Sequence, residues 1–288
     1  MLRLHEPSQM REWSRSQRSS GHTIAFVPTM GALHAGHLSL VDLAAEHASR
    51  VVVSIFVNPA QFGEGEDLDA YPRDLDRDVQ LLSDLPVEVL FLPARSALYP
   101  DDYSTWVEEK SISGGWEGAT RPDHFRGVTT IVTRLLLAVE PEVLVLGQKD
   151  AQQVAVISRM IRDLLLPVEV VTGATVRESD GLALSSRNAY LSGDERGQAV
   201  CLFEALSEAR RLVSGGEVDP AIVTRQMRER IEREPDARID YLAALDPITF
   251  EPVDTLAGRI LFCLAVHIGG TRLIDNDIVE IQSGGGQV

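Results

Sequence analysis

The chain has 288 residues, 44% hydrophobic and 24% charged, which is ordinary for one large globular domain or two with a substantial core. A formal net charge of −16 disfavours a polyanion such as tRNA as partner, so no nucleic-acid role is expected and any phosphate site must rest on a few focused cations and backbone N–H groups. No apolar run approaches the ~20 residues of a membrane span, no signal-peptide core opens the chain, and Cys201 and Cys263 read as buried thiols in a reducing cytosol, so a cytoplasmic protein is expected.

Residues 1 to 20 are polar, with a weak helical pattern and no assigned role. Thr23 to Val27 reads as a buried strand that Pro28 stops. From Gly36 onward Leu38, Leu40, Val41, Leu43 and Ala44 trace the apolar side of a helix. Between strand and helix lies Met30-Gly31-Ala32-Leu33-His34-Ala35-Gly36-His37. Its histidines stand three apart at a helix N-terminus, where free N–H groups and the helix dipole favour a phosphate. Gly31 and Gly36 let the backbone approach a ligand closely.

Arg50 to Val57 is β-branched and apolar, as in a central parallel strand buried on both faces. Asn58 and Gln61 follow just past its carboxyl end, where the ligand crevice of an open α/β sheet lies. Glu64 to Asp69 reads as an acidic loop, and a helix from about Tyr71 to Leu85 stacks Asp74 and Asp78 on what reads as a solvated face. Val87 to Leu92 is a short strand. Ser111 to Arg121, with three glycines around Trp116, reads as a mobile loop, and His124 precedes an apolar helix to about Val139. Glu142 to Leu146 is a strand ending at Gly147-Gln148-Lys149-Asp150, followed by a helix from Ala151 to Asp163 with Asp150 as its cap. Lys149 is a cation at the carboxyl end of a strand. Val168 to Thr172 is the last strand of this rhythm, which implies right-handed crossovers and a parallel sheet. Neither G-x-G-x-x-G nor G-x-x-x-x-G-K-[ST] occurs, so H-x-G-H must serve any nucleotide.

The rhythm breaks near residue 175. Ser185, Ser186 and Arg187 then combine hydroxyls and a guanidinium, a good phosphate clamp. Two helices (about Asp194–Val213 and Pro220–Arg233) and three strands (Asp240–Leu245, Arg259–Val266, Thr271–Glu280) follow. The tail Ser283-Gly-Gly-Gly reads as disordered. The expected fold class is α/β: a Rossmann-like parallel sheet with helices on both faces over residues 1–175, plus a smaller, lid-like α+β domain over residues 176–288.

H-x-G-H after a strand resembles the signature of class I aminoacyl-tRNA synthetases and their smaller nucleotidyltransferase relatives. The longer run P-T-M-G-A-L-H-A-G-H, with N-P-x-Q-F-G at Asn58, H-F-x-G-V at His124, G-Q-K-D-x-Q-Q at Gly147 and S-S-R-N at Ser185, resembles the pantothenate synthetase family. The resemblance covers nearly the whole chain, to the R-L-I-D-N run at Arg272. It implies a homodimer that joins pantoate and β-alanine using ATP and Mg²⁺, through a pantoyl-adenylate. It assigns His37, His34, Lys149 and Arg187 to catalysis. ATP contacts fall on Met30 through His37, on Gly147, Gln148, Lys149 and Asp150, and on Val176, Leu184, Ser185, Ser186 and Arg187. Pantoate falls to Gln61 and Gln153, with Asn58, Met30 and His124 beside the substrates and Asp78 near the metal. His37 acts either as proton donor to the leaving group or as its electrostatic stabiliser. Leu146 and Leu184 depart from the aromatic residue and the Met common in the family, and Arg77 interrupts an acidic run. A nucleotidyltransferase acting on a phosphate-bearing substrate is the nearest rival; it gives no reason for N-P-x-Q-F-G.

Overall fold

The computed structural model describes residues 1–63, 65, 66, 68, 69 and 71–281. Residues 64 and 67 of the expected acidic loop and the tail from residue 282 lie outside these. The chain forms two compact units, one of Met1–Gln148 with Gln152–Ala174, the other of Lys149–Ala151 with Thr175–Val288.

In chain order the first unit runs β1 (Leu2–Leu4), α1 (Pro7–Ser19), β2 (Ile24–Thr29), α2 (Ala35–His47), β3 (Arg50–Ile55), α3 (Leu75–Leu82), β4 (Val89–Phe91), α4 (Arg95–Leu98), α5 (Glu117–Thr120), α6 (His124–Val139), β5 (Val143–Gly147), α7 (Ala151–Asp163) and β6 (Glu169–Gly173). The six strands are parallel in the order β1-β4-β3-β2-β5-β6. Strand alternation sorts the apolar side chains onto two faces. Ile24, Phe26, Val52, Leu144 and Leu146 pack against α1, α6 and α7 through Met10, Leu135 and Ile157. Ala25, Val27, Val53 and Val145 pack against α2 and α3 through Leu40, Val41 and Leu82. Chain order reverses between β2 and β5, and such a switch point is where doubly wound sheets bind ligands.

Three readings of this unit need correction. Pro28 does not end β2: it pairs in register with Ser54 of β3, while pairing with β5 stops at Phe26, so no ladder bond requires the missing N–H. The N-terminal segment contributes a strand, β1, paired with β4. The loop at Ser111–Arg121 is pinned: the Glu109 carboxylate accepts the N–H groups of Ser111, Ile112 and Ser113 at 2.8–2.9 Å, and residues 117–120 form α5.

The second unit contains α8 (Gly193–Gln198), α9 (Cys201–Ser214), α10 (Pro220–Ile231), β7 (Ala237–Leu245), β8 (Gly258–Ile268) and β9 (Thr271–Ile281). Its strands form one antiparallel sheet, β7-β8-β9, with a register shift between Ile239 and Tyr241. Leu202, Leu206, Met227, Phe262 and Leu264 fill the layer between helices and sheet together with the buried Cys201, and Cys263 is buried on β8. Among the described residues no helix is long and apolar enough to cross a membrane.

Candidate active site

The turn between β2 and α2 is the best-defined part of the site. Gly31 and Ala32 both adopt positive φ, 82° and 52°. A Cβ at Gly31 would lie 3.0 Å from an Asp78 oxygen and 3.1 Å from Ile55, so glycine is required twice over. Thr29 Oγ1 accepts the Gly31 N–H at 3.2 Å and donates to the Ser54 carbonyl at 2.8 Å.

The two histidines cap α2 reciprocally. His34 Nδ1 accepts the Gly36 N–H at 3.2 Å, and His37 Nδ1 accepts the His34 N–H at 3.3 Å. Their ring centroids lie 4.1 Å apart. An Nδ1 that accepts a backbone N–H leaves the ring proton on Nε2. Both neutral rings therefore offer an Nε2–H donor at the helix N-terminus, suited to oxygen atoms of a phosphate chain.

Asp78 is 2% exposed, on the inner side of α3, not on a solvated face. Its carboxylate accepts the Ala32 N–H at 3.0 Å and the Leu33 N–H at 2.8 Å. Both oxygens thus serve the strained turn. Among the described residues no group of three or more His, Cys, Asp or Glu could hold a metal ion. The task the geometry shows for Asp78 is to shape the turn.

Asn58 and Gln61 lie after β3, respectively before and within a short 3₁₀ turn spanning Pro59–Gln61. Asn58 Nδ2 donates to Gln61 Oε1 at 3.1 Å, and Gln61 Nε2 donates to the Met30 sulfur at 3.3 Å. His124, the first residue of α6, meets the Gln61 carbonyl through Nδ1 at 2.8 Å and Arg121 through Nε2 at 3.2 Å. Burial, with the Arg121 guanidinium beside it, pushes His124 down to about 4. The ring is neutral, donating from Nδ1 and accepting at Nε2. Arg121 is held in turn by Glu66 at 2.9 Å. His124 therefore fixes the main chain of Gln61.

Gly147 ends β5, and Gln148–Asp150 form a 3₁₀ turn that runs directly into α7, so Asp150 continues a helical turn instead of standing as a separate cap. Gln153 is half-buried on the first turn of α7. Its neighbour Gln152, 5% exposed, went unmarked in the sequence. Gln152 donates to the carbonyls of Ile112 and Gly115 at 2.8 and 2.9 Å and accepts the Glu117 N–H at 3.0 Å. The signal was its spacing: it shares a helix face with the buried Ala155 and Val156, where a polar group needs partners.

In the second unit, Lys149 Nζ lies 3.9 Å from Asp150 Oδ1, and the Lys149 carbonyl accepts from Asn276 Nδ2 at 2.9 Å. Val176 and Leu184 are tied by a backbone bond of 3.0 Å, which folds the segment back on itself. Ser185 Oγ caps a 3₁₀ turn, Ser186–Tyr190, by accepting the Arg187 N–H at 3.3 Å. Asn188 Nδ2 donates to Glu178 and to the Ala183 carbonyl, both at 3.1 Å, anchoring that turn from below.

A doubly wound parallel sheet whose switch-point helix is capped by two histidines defines a phosphate-binding class of α/β fold. Within it, the family model Pantoate-beta-alanine ligase matches residues 3–278, and the chain belongs to that family. The pantothenate synthetase of Heliobacterium modesticaldum is 54% identical over 273 residues, 95% of this chain and 97% of that protein. A crystal structure of pantothenate synthetase from Thermus thermophilus superposes with a TM-score of 0.91 at 43% identity, covering 98% of this chain and 99% of that one. The pantoate-beta-alanine ligase of Francisella tularensis, crystallised in complex with beta-gamma ATP and beta-alanine, gives a TM-score of 0.79 at 35% identity, covering 96% and 97%.

Proposed function

We propose that the chain condenses pantoate with β-alanine at the expense of ATP, releasing AMP and pyrophosphate through a pantoyl-adenylate. The observation that carries this reading is the reciprocal cap of His34 and His37, a pair of Nε2–H donors at a helix N-terminus, on a turn whose Met30 is hydrogen-bonded by Gln61. In the first step a pantoate carboxylate oxygen attacks the α-phosphorus. The bond to the bridging oxygen breaks and pyrophosphate leaves with the electron pair. His34, His37, Lys149 and Arg187 are assigned to the charge that develops there, by positioning and positive potential. In the second step the neutral amine of β-alanine attacks the acyl carbon. The C–O bond to AMP breaks and the amine proton is released. Gln61 and Gln153 are assigned to pantoate. His37 is assigned to the leaving oxygen, as proton donor or as electrostatic stabiliser.

Met30 through His37, Gly147, Gln148, Asp150, Val176, Leu184, Ser185, Ser186 and Arg187 are assigned to ATP. Magnesium is assigned to the phosphate oxygens of ATP, its usual seat when carboxylates are few. A cytoplasmic homodimer is the expected form, tested by sedimentation at twice the chain mass. The deciding experiment measures AMP and pyrophosphate release from Mg-ATP with each acid omitted in turn. The expected result is AMP release that needs both acids, with pantothenate formed. Pyrophosphate with a phosphorylated acceptor would transfer the reading to nucleotidyl transfer, and ATP binding without turnover would make the chain a binder.

A further inference from the structure

Asn58 is 1% exposed, and its carboxamide is saturated. Nδ2 donates to Gln61 Oε1 and to the Gly127 carbonyl, each at 3.1 Å. Oδ1 accepts the Ala60 N–H at 3.3 Å and the Tyr99 hydroxyl at 3.0 Å. A backbone N–H only donates and a carbonyl only accepts, so Ala60 and Gly127 leave this amide a single orientation. That orientation propagates. With a donor against its Oε1, Gln61 turns its Nε2 end toward Met30, whose sulfur, 3.3 Å away, is a weak acceptor. The Nε2 end keeps its capacity for a stronger one.

Tyr99 completes the chain of bonds from the residue after α4. Its ring is 6.4 Å from that of Phe56 and 5.1 Å, edge on, from Tyr103. The Arg134 guanidinium lies 6.0 Å from its centroid. Because Asn58 Oδ1 is an acceptor, the phenol must donate, and burial, reinforced by Tyr103, raises its pKa so that it keeps its proton.

We propose that Tyr99 is a positioning residue for the acid substrate: through Asn58 it holds Gln61 with the Nε2–H donor presented, so the site selects a ligand bearing an oxygen acceptor over one bearing only an ammonium donor there. The inference rests on the assignment of Gln61 to pantoate. It is tested with Tyr99→Phe, which keeps the ring, with Gln61→Ala, and with the double variant. Tyr99→Phe is expected to raise KM for pantoate about tenfold while kcat and KM for ATP stay within about twofold, the cost of one lost bond to a buried acceptor. On the Gln61→Ala background it is expected to add nothing. Equal movement of all constants, or full additivity in the double variant, overturns the proposal. Side-chain amide NMR reads the relay without substrate: Tyr99→Phe is expected to speed exchange of the Asn58 and Gln61 NH₂ protons. Unchanged exchange overturns the relay even if pantoate proves not to be the substrate, whereas loss of pantoate dependence in the unaltered protein sinks only the functional reading.

Discussion

Asp78 accepts the main-chain N–H of Leu33 at 2.8 Å across 45 residues of sequence, and with the Ala32 N–H it occupies both donors of a left-handed turn. The carboxylate replaces solvent for groups that burial would otherwise orphan. Asp78→Ala should cost about 3 kcal/mol, since the buried Leu33 N–H and the partly buried Ala32 N–H lose their acceptor. Asp78→Asn, which keeps one acceptor oxygen, should fall between. Activity should drop with the deformed turn while the magnesium concentration for half-maximal rate stays put. A magnesium requirement that climbs in Asp78→Asn would return the residue to the metal.

His34 and His37 are each half of a capping box and half of a donor pair. His37→Ala should reduce adenylate formation by roughly 10²–10³-fold, the loss typical of one preorganised donor to a developing oxyanion. The lost cap should cost only about 1 kcal/mol of stability. Single-turnover adenylate formation and thermal unfolding, measured side by side, separate the two. A rate near that of the unaltered protein would remove His37 from the chemistry.

Much of this arrangement was legible in the sequence because its signals are local. The helix at Ala151–Asp163 follows from strict periodicity, and the strand at Arg50–Ile55 from an unbroken β-branched run. The same holds for the strand–turn–helix around H-x-G-H. What escaped depends on partners far away in the chain. Asp74 and Asp78 form an i,i+4 acidic pair that reads as a solvated face, yet Asp78 turns inward because the turn at Ala32 needs an acceptor. Leu2–Leu4 is too short to announce a strand until β4 stands beside it. Gln152 and Gln153 are the same residue type, and beyond helix spacing it is the folded Ile112–Glu117 segment that supplies the partners consuming Gln152.

His124 should make the protein acid-sensitive. Burial and Arg121 lower its pKa to about 4 in the folded chain, against about 6.5 for an ordinary histidine in the unfolded chain. The unfolded state therefore takes up the proton first. This group's contribution is complete above about pH 6.5 and is lost as pH falls toward 4, at up to about 1.4 kcal/mol per pH unit. His124→Asn, which does not titrate, should lack that slope. Denaturant unfolding of both proteins between pH 7 and pH 4.5 checks it, and parallel stability profiles would refute the neutral ring.

The Arg177–Asp275 pair sets the opposite pH signature in the second unit. Arg177 meets Asp275 with a two-pronged contact, 2.6 Å to Oδ2 and 3.0 Å to Oδ1. The Asp275 side chain is only 1% exposed, and the Asn276 N–H adds a third donor at 2.8 Å. Even so, burial outweighs Arg177 and holds the Asp275 carboxyl above its usual range. Arg177→Met strands that carboxyl and should destabilise by about 3–5 kcal/mol near neutral pH. Without the guanidinium the folded-state pKa rises further. A raised carboxyl pKa contributes stability below the unfolded value, near 4, that is lost as pH climbs through the folded value. The penalty in Arg177→Met should therefore shrink on acidification, and Arg177→Met with Asp275→Leu should recover most of it at pH 7. Urea unfolding at pH 7 and pH 5 distinguishes this from loss of packing alone, which would give the same penalty at both.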